Sequence, residues 1–104
     1  MKLHRPADPI AADLAETALY AALQSLQSTD ECRRFFRDLC TPAEIQALSD
    51  RWTVVGLLEK NLPYREIARR TGVSVTTIGR VARALSTGHG GYDLARSRLG
   101  GTDG

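Results

Sequence analysis

The stretch Tyr64–Leu85, YREIARRTGVSVTTIGRVARAL, decides the fold. Two short helical patterns meet here across Thr71-Gly72-Val73-Ser74. A helix-turn-helix pair sets two short helices at a steep angle across a turn of three or four residues. It needs a small residue where the helices approach, a turn residue that tolerates positive φ, and apolar residues facing inward from both helices. Ala68 meets the first need and Gly72 the second. Ile67, Val73, Ile78 and Val81 meet the third. Thr71 is the one departure, because an apolar residue is usual at its place. The pattern predicts one helix from Tyr64 to about Arg70, opened by Pro63, and a second from about Val75 to Leu85.

The outward positions of the second helix are Ser74, Thr76, Thr77, Arg80 and Arg83. A bare helix fits the major groove of duplex DNA, where its N-terminal residues reach base edges. Threonine hydroxyls can bond bases or phosphates, and their methyls can touch thymine. Arg80 or Arg83 can take a guanine bidentately or clamp a phosphate, while Arg65 and Arg69 on the first helix are placed for the DNA backbone. Gly79, inside the second helix, costs about 1 kcal/mol relative to alanine. It marks either a close approach by DNA or another helix, or a tolerated loss of helix propensity. A purely structural helical hairpin is the alternative for the whole motif.

Working outward, no segment alternates as a strand, so the fold class is all-α. Upstream, Thr41-Pro42-Ala43-Glu44 combines a cap, a proline suited to the first helical position and a glutamate at capping-box spacing. It opens a third helix with Ile45, Leu48, Trp52, Val55 and Leu58 on one face, widened by Val54 and Leu57 and ending near Asn61. Trp52 reads as a core residue. Ser28 and Glu31 start a short second helix carrying Phe35, Phe36 and Leu39. The first helix begins at Ala11 and bears Leu14, Ala15, Ala18, Leu19, Ala22, Leu23 and Leu26 as one apolar stripe. Tyr20, Phe35 and Phe36 read as core or dimer contacts. Downstream, a glycine-rich loop precedes a last short helix over Tyr92–Leu99. Residues 1–10 read as a flexible arm, 11–99 as a single helical domain and 100–104 as a tail.

The 104-residue chain has a formal charge of only +2, but the charge is uneven. Residues 1–50 hold five basic and eight acidic side chains, whereas 51–98 hold nine basic and three acidic ones. Such a basic half suits a polyanion, or else forms a solvated arginine-rich surface. The longest apolar run, Ala18–Leu23, falls far short of the ~20 residues of a membrane span, and the first ten residues do not read as a signal peptide. Cys32 and Cys40, about 12 Å apart along a helix axis, are too distant for a disulfide and read as buried thiols in a reducing cytoplasm. His4 and His89 have no companions at metal-ligand spacing. No nucleophile-base pair stands out. The glycines at 88, 90 and 91 lack the following Lys-Ser/Thr of a phosphate loop. No enzymatic activity and no metal are expected.

The order LCTPAEIQALSDRW followed by LPYREIARRTGVSVTTIGRVARAL resembles the Trp-repressor superfamily. The pattern ECxRFFxDLCTxxEIQxL and the Tyr92 segment are similar to its YerC/YecD-type branch of small bacterial DNA-binding proteins. The resemblance runs from about Leu19 to Leu99. It implies an intertwined helical homodimer whose two reading heads meet successive major grooves. It also implies DNA contacts at Tyr64 and Arg65, and at Val75, Thr76 and Thr77. The superfamily's tryptophan effector lies between two arginines that fall on Arg51 and Arg80. The glycine that leaves room for that ligand is Val81 here, and the serine near its amine is Ala84. These departures imply a filled pocket, with a different small effector or none.

The expected role is therefore a cytoplasmic transcriptional regulator, a dimeric repressor of a near-palindromic operator. The competing roles are a helical protein-interaction module and the DNA-binding piece of a transposase-like system.

Overall fold

The computed structural model describes residues 8–100, all of whose regular elements are helices. In chain order they are α1 (Pro9–Gln24), α2 (Thr29–Leu39), α3 (Pro42–Glu59), α4 (Tyr64–Thr71), α5 (Val75–Thr87) and α6 (Gly91–Arg98). The chain divides into two compact units at Thr41/Pro42.

In the first unit, α1 begins at Pro9, two residues earlier than the apolar stripe suggested. The cause is local: the Asp8 carboxylate accepts the Ile10 N–H at 3.0 Å, and the proline occupies the opening turn. Residues 1–7 and 101–104 of the expected arm and tail, with His4, lie outside the described residues. Ser28 caps α2 by accepting the Glu31 N–H at 3.1 Å, while Glu31 returns a bond to the Gln27 N–H at 2.8 Å. The reciprocal bond thus reaches one residue beyond the cap. Neither helix buries a residue fully. Leu14 is 65% exposed, and Ile10, Tyr20 and Leu39 are also exposed. The Tyr20 hydroxyl donates to Glu16 Oε2 at 2.6 Å, and this bond raises the phenol pKa above its usual value. Phe35 and Phe36 meet edge to face. Cys32 is exposed and Cys40 half-buried, both as free thiols, so burial as a reason for these cysteines fails at Cys32.

The second unit holds the core: Val54, Val55, Ile67, Val73, Ile78 and Val81, contributed by α3, α4, the turn and α5. These three helices pack mutually. Around that core lie Leu57, Leu58, Leu62, Ala68, Leu85 and Tyr92, each partly buried. Helix α3 ends at Glu59, and Asn61 takes positive φ (63°) before Pro63. Trp52 does not enter the core. It is 36% exposed, tilted against Tyr92 with ring centroids 6.3 Å apart. The reason is that α3 is apolar on more than one side. Val54 and Val55 fill the core, while Leu48 and Trp52 point elsewhere. Helix α6 is held to α3 at both ends of its contact, by Tyr92 on Trp52 and by Arg96 Nε donating to Glu59 Oε1 at 2.6 Å.

Candidate nucleic-acid interface

Helices α4 and α5 are joined by a turn that the backbone fixes closely. Gly72 is left-handed (φ 77°), and its N–H closes α4 on Ala68 O at 2.8 Å. A side chain at 72 would be strained in that conformation. Thr71, the residue that departs from the apolar rule, earns its place by hydrogen bonding. Its hydroxyl donates to Ile67 O at 2.7 Å and accepts the Val73 N–H at 3.0 Å. One side chain thus ties the last turn of α4 to the residue that leads into α5. Val73 is 7% exposed, so its amide has little access to water.

Ser74 caps α5, accepting the Thr77 N–H at 3.1 Å and donating to Thr77 Oγ1 at 3.1 Å. The Ser74 and Thr77 hydroxyls are therefore coupled, and Thr77 is half-buried rather than fully outward as the pattern suggested. Its hydroxyl proton is left to donate elsewhere. Thr76, Arg80 and Arg83 are exposed and stand at i, i+4 and i+7, which places them on one face of α5. Ile78 and Val81, fully buried, occupy the opposite side. Val75 is 54% exposed and Tyr64 42% exposed, with the Tyr64 ring beside Gly79. No acidic residue lies on α5.

On α4, Arg65 is exposed. Arg69 is also exposed, but Glu66 holds it: Nε donates to Oε1 at 3.1 Å. Arg70 Nε donates to Glu66 Oε2 at 2.8 Å. Glu66 and Arg70 were not among the residues singled out from the sequence, although their i, i+3 and i, i+4 spacings carry the signal. The bonds from Arg69, and then Arg70, lower the Glu66 pKa from the usual 4.5 to about 2. Glu66 in turn raises the pKa of Arg69. The acid lies in the first turn of α4 and the bases in its last, which also suits the helix dipole.

Arg51 is half-buried on α3, and Arg80 is exposed on α5, the helix packed against it. Val81 is 1% exposed and part of the core, while Ala84 is exposed. Among the described residues, no group of three or more His, Cys, Asp or Glu is arranged to hold a metal ion, and no helix is long and apolar enough to cross a membrane.

A family model described as Trp repressor protein matches residues 16–99. The chain belongs to the Trp repressor family. It is 41% identical over 85 residues to YerC of Bacillus subtilis (strain 168), covering 82% of each chain. It is similar to the crystal structure of a TrpR-like protein from Eubacterium eligens ATCC 27750, with a TM-score of 0.80 and 44% identity over 84% of this chain and 90% of that one. A Trp-repressor candidate from Staphylococcus aureus gives the same TM-score, 0.80, at 37% identity over 84% of this chain and 87% of that one. The all-helical fold and the family expected from the sequence are both as observed.

Two outcomes follow from this geometry. Thr71→Val would restore the apolar residue usual at that position, yet it should lower unfolding stability by about 1 kcal/mol. The substitution leaves the Val73 N–H without its acceptor. Urea denaturation reads the sign directly. Glu66, with its pKa depressed, contributes stability that is complete above the unfolded value near 4.5 and is lost as pH falls through about 2. The difference in thermal midpoint between the wild type and Glu66→Gln should therefore be present at neutral pH and shrink across that acid window.

Proposed function

We propose that this protein is a dimeric, sequence-specific DNA-binding regulator of transcription, a repressor that reads the major groove with α5. The observation that carries the reading is the exposed Thr76–Arg80–Arg83 face of a capped helix whose opposite side is fully buried. A rigid helix with hydroxyl and guanidinium groups outward, and no acid on it, is chemically suited to base edges and phosphates. Arg65 and the two arginines held by Glu66 lie on the preceding helix, where they meet the backbone on either side. Membership of a repressor family supports the same role. Val75, Thr76 and Thr77 stand at the start of α5, the part of a recognition helix that reaches base edges, and Tyr64 at the opening of α4 has its ring beside Gly79 of the same helix as those three.

The homodimer rests on the apolar side chains that the single chain leaves uncovered. Ile10, Leu14, Leu48, Trp52, Leu94 and Leu99 are all exposed, and a second copy is the partner in this reading. Two reading heads then require two half-sites about one helical turn apart. A DNA-reading role places the protein in the cytoplasm and calls for no catalytic residue.

An effector would be held by Arg51 and Arg80, the two arginines carried over from the family. We infer that L-tryptophan is not its ligand, because buried Val81 replaces the glycine that would make room and Ala84 brings no hydroxyl. Calorimetric titration of the dimer with tryptophan should give no saturable heat, whereas stoichiometric heat would reverse this inference.

Selection of bound duplexes from a random pool tests the main reading. It should yield a near-palindrome with half-sites spaced about 10 base pairs apart. Binding should weaken roughly tenfold or more for a few-fold rise in salt, through release of counterions from the phosphates. Arg83→Ala and Thr77→Ala should reduce discrimination between the selected and random duplexes, whereas Arg69→Ala should weaken both about equally. An unenriched pool, or salt-insensitive binding, contradicts the reading.

A further inference from the structure

Helix α5 makes two choices that folding does not explain. Val75, at its first position, holds a branched apolar side chain 54% in solvent. Gly79, one turn on, gives up helix propensity, although the fold has room for a side chain there. A Cβ at 79 would meet Tyr64 Cε2 at 4.0 Å, an ordinary contact, and nothing else outside its own helix within that distance. Positions that break a local rule without a folding reason are where function is expected. Val75 and Gly79 stand at i and i+4, so they share one strip of the helix surface. The Tyr64 ring, itself 42% exposed, stands beside Gly79. Together they make a shallow apolar notch, with Gly79 as its floor and Tyr64 and Val75 at its edges.

The surroundings of the notch select its occupant. Thr76 and Arg83 lie three residues before and four after Gly79, so they flank it along the same side of α5. A hydroxyl on one side and a guanidinium on the other are complementary to polar base edges and phosphates. An apolar group that arrives embedded in such a polar, anionic surface is the C5-methyl of thymine, the one apolar feature of the major groove.

We propose that the notch formed by Tyr64, Val75 and Gly79 receives the C5-methyl of a thymine in each half-site, and that Val75 and Gly79 are specificity-determining residues for that base. The proposal rests on the DNA-reading role given above and adds which base is read and by what contact. Gly79 serves by absence: any side chain there fills the floor of the notch. Val75 contributes its methyls to the contact, and the Tyr64 ring closes the other side.

The test uses the full-length protein and the duplex selected from a random pool. Each thymine in turn is replaced by deoxyuridine, which removes only the methyl. One position in each half-site should bind about fourfold more weakly, the gain expected for burying one methyl-sized group. In Val75→Ala the ratio between thymine and uracil duplexes should move towards one. Gly79→Ala should raise the thermal midpoint of the free protein while weakening binding to the thymine duplex more than to the uracil duplex. A selected site without a fixed thymine in each half, or equal binding of all uracil and thymine duplexes, overturns this proposal and leaves the DNA-reading role standing. So does a thymine preference that both variants retain unchanged. A pool with no enriched duplex overturns the DNA-reading role and this proposal with it.

Discussion

The angle between α4 and α5 depends on one hydrogen-bonded turn. Gly72 reverses the backbone hand, and the Thr71 hydroxyl fastens Ile67 O to the Val73 N–H across it. With that turn set, Ile67 and Val73 on one side and Ile78 and Val81 on the other converge on Val54 and Val55 of α3. The outward face of α5 is then a consequence of the buried one. Because Ile78 and Val81 are fixed inward, Thr76, Arg80 and Arg83 have no choice but to face out. The orientation of that outward face is set by a core of six side chains and one threonine hydroxyl.

Charge on this surface is arranged rather than merely abundant. Glu66 is only partly exposed and takes bonds from two arginines at once, which restrains long side chains that would otherwise sample many rotamers. Individual exposed ion pairs of this kind contribute little to folding. Their more useful effect here is to hold two guanidinium groups at a defined place on α4. The same logic operates at the other end of the unit, where Arg96 reaches Glu59 and fixes α6 against α3.

Much of this was legible in the sequence, for identifiable reasons. The turn at Gly72 and the inward phase of Ile67, Ile78 and Val81 are local features, and each is encoded within a few residues, whereas Ser74 was read only as an outward residue and emerges as the cap of α5. The family was legible in long matched stretches. What escaped was set by contacts distant in sequence or by side-chain exchange within the turn. The Arg96–Glu59 pair spans 37 residues, and no local pattern announces it. Trp52 sat correctly on an apolar face, but α3 has more such surface than one core can cover, so its exposure could not be read from periodicity. Thr71 looked like a flaw because the rule at that position concerns packing, whereas its role is to bond two backbone groups. The coupling of Thr77 to Ser74 likewise follows from cap geometry, which the phase of a helix does not reveal.

In the proposed role, the face of α5 opposite Ile78 and Val81 is what meets duplex DNA. Backbone amide shifts recorded while a selected duplex is added to the labelled protein test it most directly. The largest changes are expected on Ser74 to Thr77, on Gly79, Arg80 and Arg83, and on Tyr64 and Arg65. Changes confined to α2 or α6, with α5 unmoved at saturation, would contradict it.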